Sequence, residues 1–238
     1  NTNNGTLSGF LSGHKNWISR IVRSRDGKFI ATGDLYGSLI IWDPNTLLPL
    51  LILGKGKASI RSICFTDNNQ FVITGSQDST VRIWETKTGK LISQIKETNE
   101  VSEVKLSGLG DKLITIISRE DVARVWDVQS GKFLYELRHN IRYIESAAFS
   151  PDGKYIVTCT GNGLVQIGGQ IKLWNSSDGI LISEYTKTEE WGFFEVFFTP
   201  DAKYIITNAI DGDMWIWDYK KRNLKKRILN QNGSKGII

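Results

Sequence analysis

Cysteine and histidine are scarce in these 238 residues, with two of each. Cys64 and Cys159 each lie inside an apolar run, where a reduced cysteine acts as a small hydrophobe, so a disulfide framework is excluded. Neither a Cys-x-x-Cys nor a His-x-x-x-His spacing occurs and the acidic residues are scattered through turns, so neither a metal nor a cofactor is expected. No apolar run approaches the ~20 residues of a membrane helix. The first residues, Asn1-Thr2-Asn3-Asn4-Gly5, lack the basic-then-apolar order of a secretory signal. Asn-x-Ser/Thr triplets begin at Asn4, Asn175 and Asn232, and without such a signal they read as chance matches. Together these absences predict a cytoplasmic protein with no membrane insertion.

What is present is average for a folded domain: 40% hydrophobic and 23% charged residues, with a formal net charge of +5. Neither disorder nor a fibrous repeat fits that balance. The organising feature is a repeat. A tryptophan that closes an apolar segment and precedes a polar residue recurs as Trp42-Asp43, Trp84-Glu85, Trp126-Asp127, Trp174-Asn175 and Trp217-Asp218, at spacings of 42, 42, 48 and 43. Repeats of ~40–45 residues built from short strands are the mark of propeller blades.

Each period reads as four strands. The first is an apolar run such as Ile60 to Phe65, Ile144 to Phe149 or Phe193 to Phe198. A polar turn such as Ser150-Pro151-Asp152-Gly153-Lys154 leads to a second run such as Tyr155 to Thr158, the third ends at the tryptophan, and a further turn opens a fourth such as Leu91 to Ile95 or Phe133 to Leu137. Gly, Asp, Asn and Ser clusters between β-rich runs form tight antiparallel turns. One four-stranded sheet cannot bury two apolar faces alone, so such units stack face to face.

The array resembles the WD-repeat family on Gly13-His14, the 150–154 turn, the turn Gly75-Ser76-Gln77-Asp78-Ser79-Thr80 and the five Trp-Asp-like endings. The resemblance implies an all-β propeller of four-stranded antiparallel blades over 1–238, with periods ending near 43, 85, 127, 175 and 218. Five full blades are expected, as part of a larger ring and of a longer protein with further domains. Residues 1–12 are expected to supply the outer strand of a preceding blade, centred on Leu7 to Leu11, and 233–238 the start of another.

The resemblance also implies a buried network of His, Ser/Thr, Asp and Trp in each blade, which satisfies the indole N–H inside an apolar sheet. By position, the first period supplies His14, Thr32 and Trp42 but has Tyr36 where the Asp belongs. The second supplies Thr74, Asp78 and Trp84 without the His. In the third, Ile116 stands for the Thr before Trp126. The fourth has His139, Thr158 and Trp174, with the Asp turn displaced by six extra residues in the loop from Gly161 to Gln170. The fifth has Thr207, Asp211 and Trp217. No network is complete on this reading, and Trp84, with both Thr74 and Asp78, is expected to be among the most costly to remove.

No nucleophile–base pair or acidic cleft is evident, so an enzyme is not expected. The glycines of 161–169 lie between strands, not ahead of a helix, which excludes a phosphate loop. The expected function is a non-catalytic protein-interaction scaffold or sensor in a larger signalling protein or complex, binding a protein or peptide. Family members commonly use one face, formed by outer-to-inner crossings and second-to-third-strand turns. The crossings carry Trp17, Tyr143 and Trp191, and the turns carry Tyr36 and Arg119. Large exposed aromatics and arginines are typical of binding hot spots. The alternative is nucleic-acid binding through the basic cluster Lys220, Lys221, Arg222, Lys225, Lys226 and Arg227, which otherwise serves as a charged, solvated outer edge.

Overall fold

A computed structural model of the chain describes residues 9–54, 58–140, 143–161, 168–187 and 192–229. Among these residues there are twenty β-strands and no helix, hence no helix long and apolar enough to cross a membrane. The chain divides into two compact units, residues 1–104 and 105–238.

The first unit holds two complete sheets: β1 (Ile18–Arg23), β2 (Ile30–Asp34), β3 (Leu39–Trp42) and β4 (Pro49–Leu53), then β5 (Ile60–Phe65), β6 (Phe71–Ser76), β7 (Thr80–Glu85) and β8 (Leu91–Lys96). The unit boundary falls inside β9 (Val101–Leu106), which opens the third sheet with β10 (Lys112–Ile117), β11 (Val122–Asp127) and β12 (Phe133–Arg138). The second unit adds β13 (Ile144–Phe149), β14 (Tyr155–Thr160), β15 (Gly169–Asn175) and β16 (Leu181–Lys187), and then β17 (Phe193–Phe198), β18 (Ile205–Ala209), β19 (Met214–Asp218) and β20 (Asn223–Ile228). Strand order follows chain order in every sheet, as meanders of tight turns require.

Two local devices repeat. The turn after each first strand is held by a hydroxyl: Ser24, Thr66, Ser107, Ser150 and Thr199 each accept the N–H that re-enters the next strand, at 2.9–3.1 Å. The polar residue after each tryptophan caps the next turn. Asp43, Asp127, Asn175 and Asp218 accept turn N–H groups at 2.7–3.0 Å, and Glu85 accepts the Thr88 hydroxyl. Pairing with the fourth strand slips by one residue at each tryptophan, a bulge that twists the outer strand away.

Packing between sheets follows the apolar alternation. In the first unit Ala31, Leu39 and Ile41 bury against Ile60, Ile63 and Val72. Gly33 permits this approach, because a Cβ there would meet Ile60 at 2.7 Å. In the second unit one cluster joins Ile114, Ile116 and Val125 to Ile144, Ala147 and Ile156, and another joins Val157, Ile171 and Leu173 to Phe193, Val196 and Trp217. Of the stretch expected as a preceding outer strand, residues 9–12 form no strand, while 1–8 and 233–238 lie outside the described residues.

Candidate functional site

Every sheet carries an indole-to-threonine hydrogen bond. Trp42 donates to Thr32 at 2.7 Å, Trp84 to Thr74 at 3.3 Å, Trp126 to Thr115 at 3.0 Å, Trp174 to Thr158 at 2.8 Å and Trp217 to Thr207 at 3.2 Å. The threonine of the third sheet is therefore present, and it is Thr115 rather than position 116. The β10–β11 turn is one residue longer than its β6–β7 counterpart. Thr115 accordingly pairs with Arg124 as Thr74 pairs with Arg82, and Ile116 is an ordinary core residue.

The first network is complete, contrary to the positional reading. Its carboxylate comes from Asp34, two residues before Tyr36. His14 Nδ1 donates to Asp34 Oδ2 at 3.1 Å, which leaves Nε2 to accept the Thr32 hydroxyl at 2.6 Å, while Trp42 donates to the same oxygen. Asp34 Oδ1 also accepts the N–H groups of Tyr36 and Ser38, so one carboxylate orients the histidine and closes the turn. Burial acts to raise the Asp34 pKa, but the Ser38 N–H, His14, the Tyr36 N–H and the Ser38 side chain together hold it below the ordinary carboxylate value.

The fourth sheet repeats the relay with a neutral partner. His139 Nε2 accepts the Thr158 hydroxyl at 2.7 Å, and Nδ1 faces Gln170 Oε1 at 3.3 Å. Gln170, at the end of the expanded turn, stands where an aspartate was expected and in turn donates to Glu184 at 2.6 Å. Lys172 sits beside this cluster, donating to the Arg138 and His139 carbonyls at 3.1 and 3.4 Å. Burial first, and then the Lys172 charge, push His139 down to about 3 from 6.5. Because the folded value is depressed, His139 contributes stability that is complete above pH 6.5 and is lost as pH falls toward 3. Between pH 6.5 and 4.5 the loss should be about 2–3 kcal/mol. Urea titrations at both pH values check this, with His139→Asn expected to show a correspondingly smaller pH difference.

In the second and fifth sheets the aspartates serve the turns. Asp78 accepts Thr80 and pairs with Arg82 at 2.7 Å, and Asp211 accepts the Asp213 N–H at 3.0 Å. Glu120 in the third sheet pairs with Arg124 at 3.0 Å, in the same relation as Asp78 to Arg82. Trp84, without a histidine, lines a cavity of about 210 Å³ with Thr74, Arg82 and Ile60.

In the first unit Trp17 is 82% exposed and Tyr36 59% exposed. The Trp17 carbonyl accepts the Leu35 N–H at 3.0 Å, which holds the crossing against the turn and places the two aromatics on neighbouring segments. In the second unit Tyr143 is exposed, as is Arg119, whose φ of 63° puts it at a left-handed turn position. The Glu120 carbonyl accepts the Ile144 N–H, which links their two segments in the same manner. Trp191 and residues 162–167 of the expanded loop lie outside the described residues. Trp215 stacks on Trp217 at 5.7 Å within the sheet.

The basic cluster does not form one stripe. Lys220, Lys221 and Arg222 are exposed on the turn, but strand alternation sends Lys225 and Arg227 to one side of β20 and Lys226 to the other. Lys225 lies over the Tyr204 ring at 3.9 Å. Arg227 pairs with Asp213 at 2.5 Å and covers the Trp215 ring at 4.7 Å.

The family model described as "WD domain, G-beta repeat" matches residues 5–43, 49–85 and 131–175, just over half of the chain. The chain belongs to the WD-repeat family. Its fold is that of a β-propeller: it is similar to the crystal structure of the Myceliophteria thermophila Cps50 (Swd1) β-propeller domain, with a TM-score of 0.76 at 15% identity, covering 91% of this chain and 73% of that one. Among curated proteins it is 24% identical over 230 residues to eukaryotic translation initiation factor 3 subunit I of Candida glabrata, covering 87% of this chain and 63% of that protein. It is 23% identical over 231 residues to WD repeat-containing protein 1 of Mus musculus, covering 92% of this chain and 36% of that protein. The WD-repeat chain thus spans less than two thirds of either relative.

Proposed function

We propose that this WD-repeat chain is a non-catalytic scaffold that binds a protein or peptide partner, and that Trp17 and Tyr36 are the anchors of its docking surface in the first unit. The observation that carries the reading is the exposure of Trp17, at 82%, beside an exposed tyrosine on a segment held by a backbone hydrogen bond. A tryptophan left in water at a fixed position offers a partner a large apolar area at small entropic cost. Membership of a family of interaction propellers, and likeness to a subunit of a multisubunit translation factor, fit the same role. We place the protein in the cytoplasm, where cysteines outside a disulfide, as Cys64 and Cys159 are, stay reduced.

The test uses a photo-crosslinking residue at position 17 of the full chain in its native cells, with Lys87 as the control position. Peptides of a defined partner should attach at 17 and not at 87. With that partner purified, Trp17→Ala and Tyr36→Ala should each weaken binding by about 2 kcal/mol and leave the melting temperature unchanged. Equal attachment at both positions, or a melting temperature that falls with affinity, would remove these residues from the docking surface.

A further inference from the structure

The turn between first and second strands is built alike in every sheet, so each of its positions can be compared across five copies. Two residues after the turn hydroxyl stand Asp26, Asn68, Asp152 and Asp201, each accepting that hydroxyl at 2.6–2.9 Å. In the third sheet Ser107 donates to Asp111 instead, at 2.6 Å, and the equivalent place is taken by Leu109, which is 82% exposed. Five residues after the hydroxyl, four sheets have an aromatic ring, Phe29, Phe71, Tyr155 or Tyr204, whereas the third has Lys112. One turn of the second unit thus departs from its counterparts twice. Leu109 sits at a turn tip and not on a sheet face, so sheet stacking does not account for it.

The β9–β10 turn adjoins the β13–β14 turn, since a Cβ on Gly108 would stand 3.3 Å from the Pro151 carbonyl oxygen. Beside them lies a groove of about 410 Å³ lined by Lys112, Lys154, Tyr155, Asn175, Ser176 and Ser177. No acidic residue lines it among the described residues. Ser176 is buried, at 1% exposure, and its Oγ has no hydrogen-bond partner. A buried hydroxyl in that state gains from an acceptor. The counterpart groove in the first unit shows what differs. Thr86, in the place of Ser176, is likewise unpartnered, but that groove is lined by Asp26 and Glu85 as well as Lys28 and Lys87. Asn175 stands where Glu85 does, two places that pair alike with the second strand, and the substitution removes the acid. Asp111, 3.8 Å from Lys112, and Asp152 flank the second-unit groove. They would repel a continuous phosphate backbone, while a single carboxylate set between the lysines meets attraction. The exposed leucine at the rim suits an apolar side chain beside that carboxylate.

We propose that this groove is a second docking site, which takes an acidic segment of a protein partner: an Asp or Glu between Lys112 and Lys154, and an apolar neighbour on Leu109. It extends the scaffold reading to the sheet end opposite the β10–β11 turn of Arg119, and does not need the Trp17 surface. The experiment selects a displayed library of random dodecapeptides on the full chain and measures the affinities of the enriched peptides. Sequences pairing Asp or Glu with Leu, Ile or Val should be enriched. Lys154→Glu and Leu109→Ser should each weaken those peptides about tenfold or more. Lys28→Glu and Lys87→Glu in the counterpart groove, and Trp17→Ala, should leave their binding unchanged. Because Leu109 and Lys154 are exposed, both variants should melt as the parent does. Loss at Trp17→Ala alone would support only the first surface and overturn the second. Absence of acidic–apolar enrichment, binding that survives at Lys154→Glu or Leu109→Ser, or equal loss at Lys28→Glu and Lys87→Glu would also overturn it.

Discussion

Trp42→Ala should lower the unfolding free energy by about 3–5 kcal/mol, and Trp84→Ala by distinctly less. Trp42 is fully buried, donates at 2.7 Å to a threonine that is itself tied to His14, and lies within 6.3 Å of the imidazole. Its removal empties a closed site beside the His14 ring and takes from the Thr32 oxygen the N–H that it accepts. Trp84 is partly exposed, holds its threonine at 3.3 Å and already borders a cavity, so less packing is lost with it. This reverses the order expected from position alone, which counted Asp78 as a partner of Trp84, whereas that carboxylate is committed to Arg82 and Thr80. Chemical denaturation of the two variants decides it, and an equal or larger loss at Trp84 would refute the packing argument.

The blade pattern was legible because it is written in spacing. A tryptophan every 42 to 48 residues, with β-rich runs and turn clusters between, admits few other arrangements, and the strands at Ile60–Phe65, Ile144–Phe149 and Phe193–Phe198 begin and end where the apolar runs do. The networks were less legible because they depend on reach rather than on position. Asp34 and Tyr36 are two residues apart in one turn, and which of them meets His14 depends on where the chain leaves β2. Thr115 was displaced by a single added turn residue, and a count back from Trp126 cannot register this unless the Arg124–Glu120 pair is aligned with Arg82–Asp78. Gln170 follows an insertion, and nothing local in its sequence says that its amide faces His139.

The surface residues show the same division. Exposure of Trp17, Tyr36 and Tyr143 agrees with their placement in crossings and turns, because those segments lie outside the sheet ladder. The basic cluster was read as a run, but a strand has a period of two. That period alone assigns Lys225 and Arg227 to one face and Lys226 to the other. The two on the first face then meet aromatic rings of their own sheet.

Thr158→Val should cost about 2–5 kcal/mol, whereas Thr74→Val should cost about 0.5–1.5 kcal/mol. The Thr158 hydroxyl does two things at once: its oxygen accepts the Trp174 N–H at 2.8 Å, and its hydrogen goes to His139 Nε2 at 2.7 Å. Valine fills nearly the same volume, so the loss is not one of packing but of two partners inside a buried site. Protonation cannot rescue the imidazole, because burial and the nearby Lys172 charge oppose a second positive charge there. Thr74 holds a single indole at 3.3 Å, beside a partly exposed tryptophan and a cavity, so its loss strands less. A double-mutant cycle separates the terms. His139→Leu combined with Thr158→Val removes both ends of one hydrogen bond and should cost less than the sum of the single changes. Costs that simply add, or a Thr158→Val as mild as Thr74→Val, would show that the histidine relay holds the blade no more firmly than the indole bond alone.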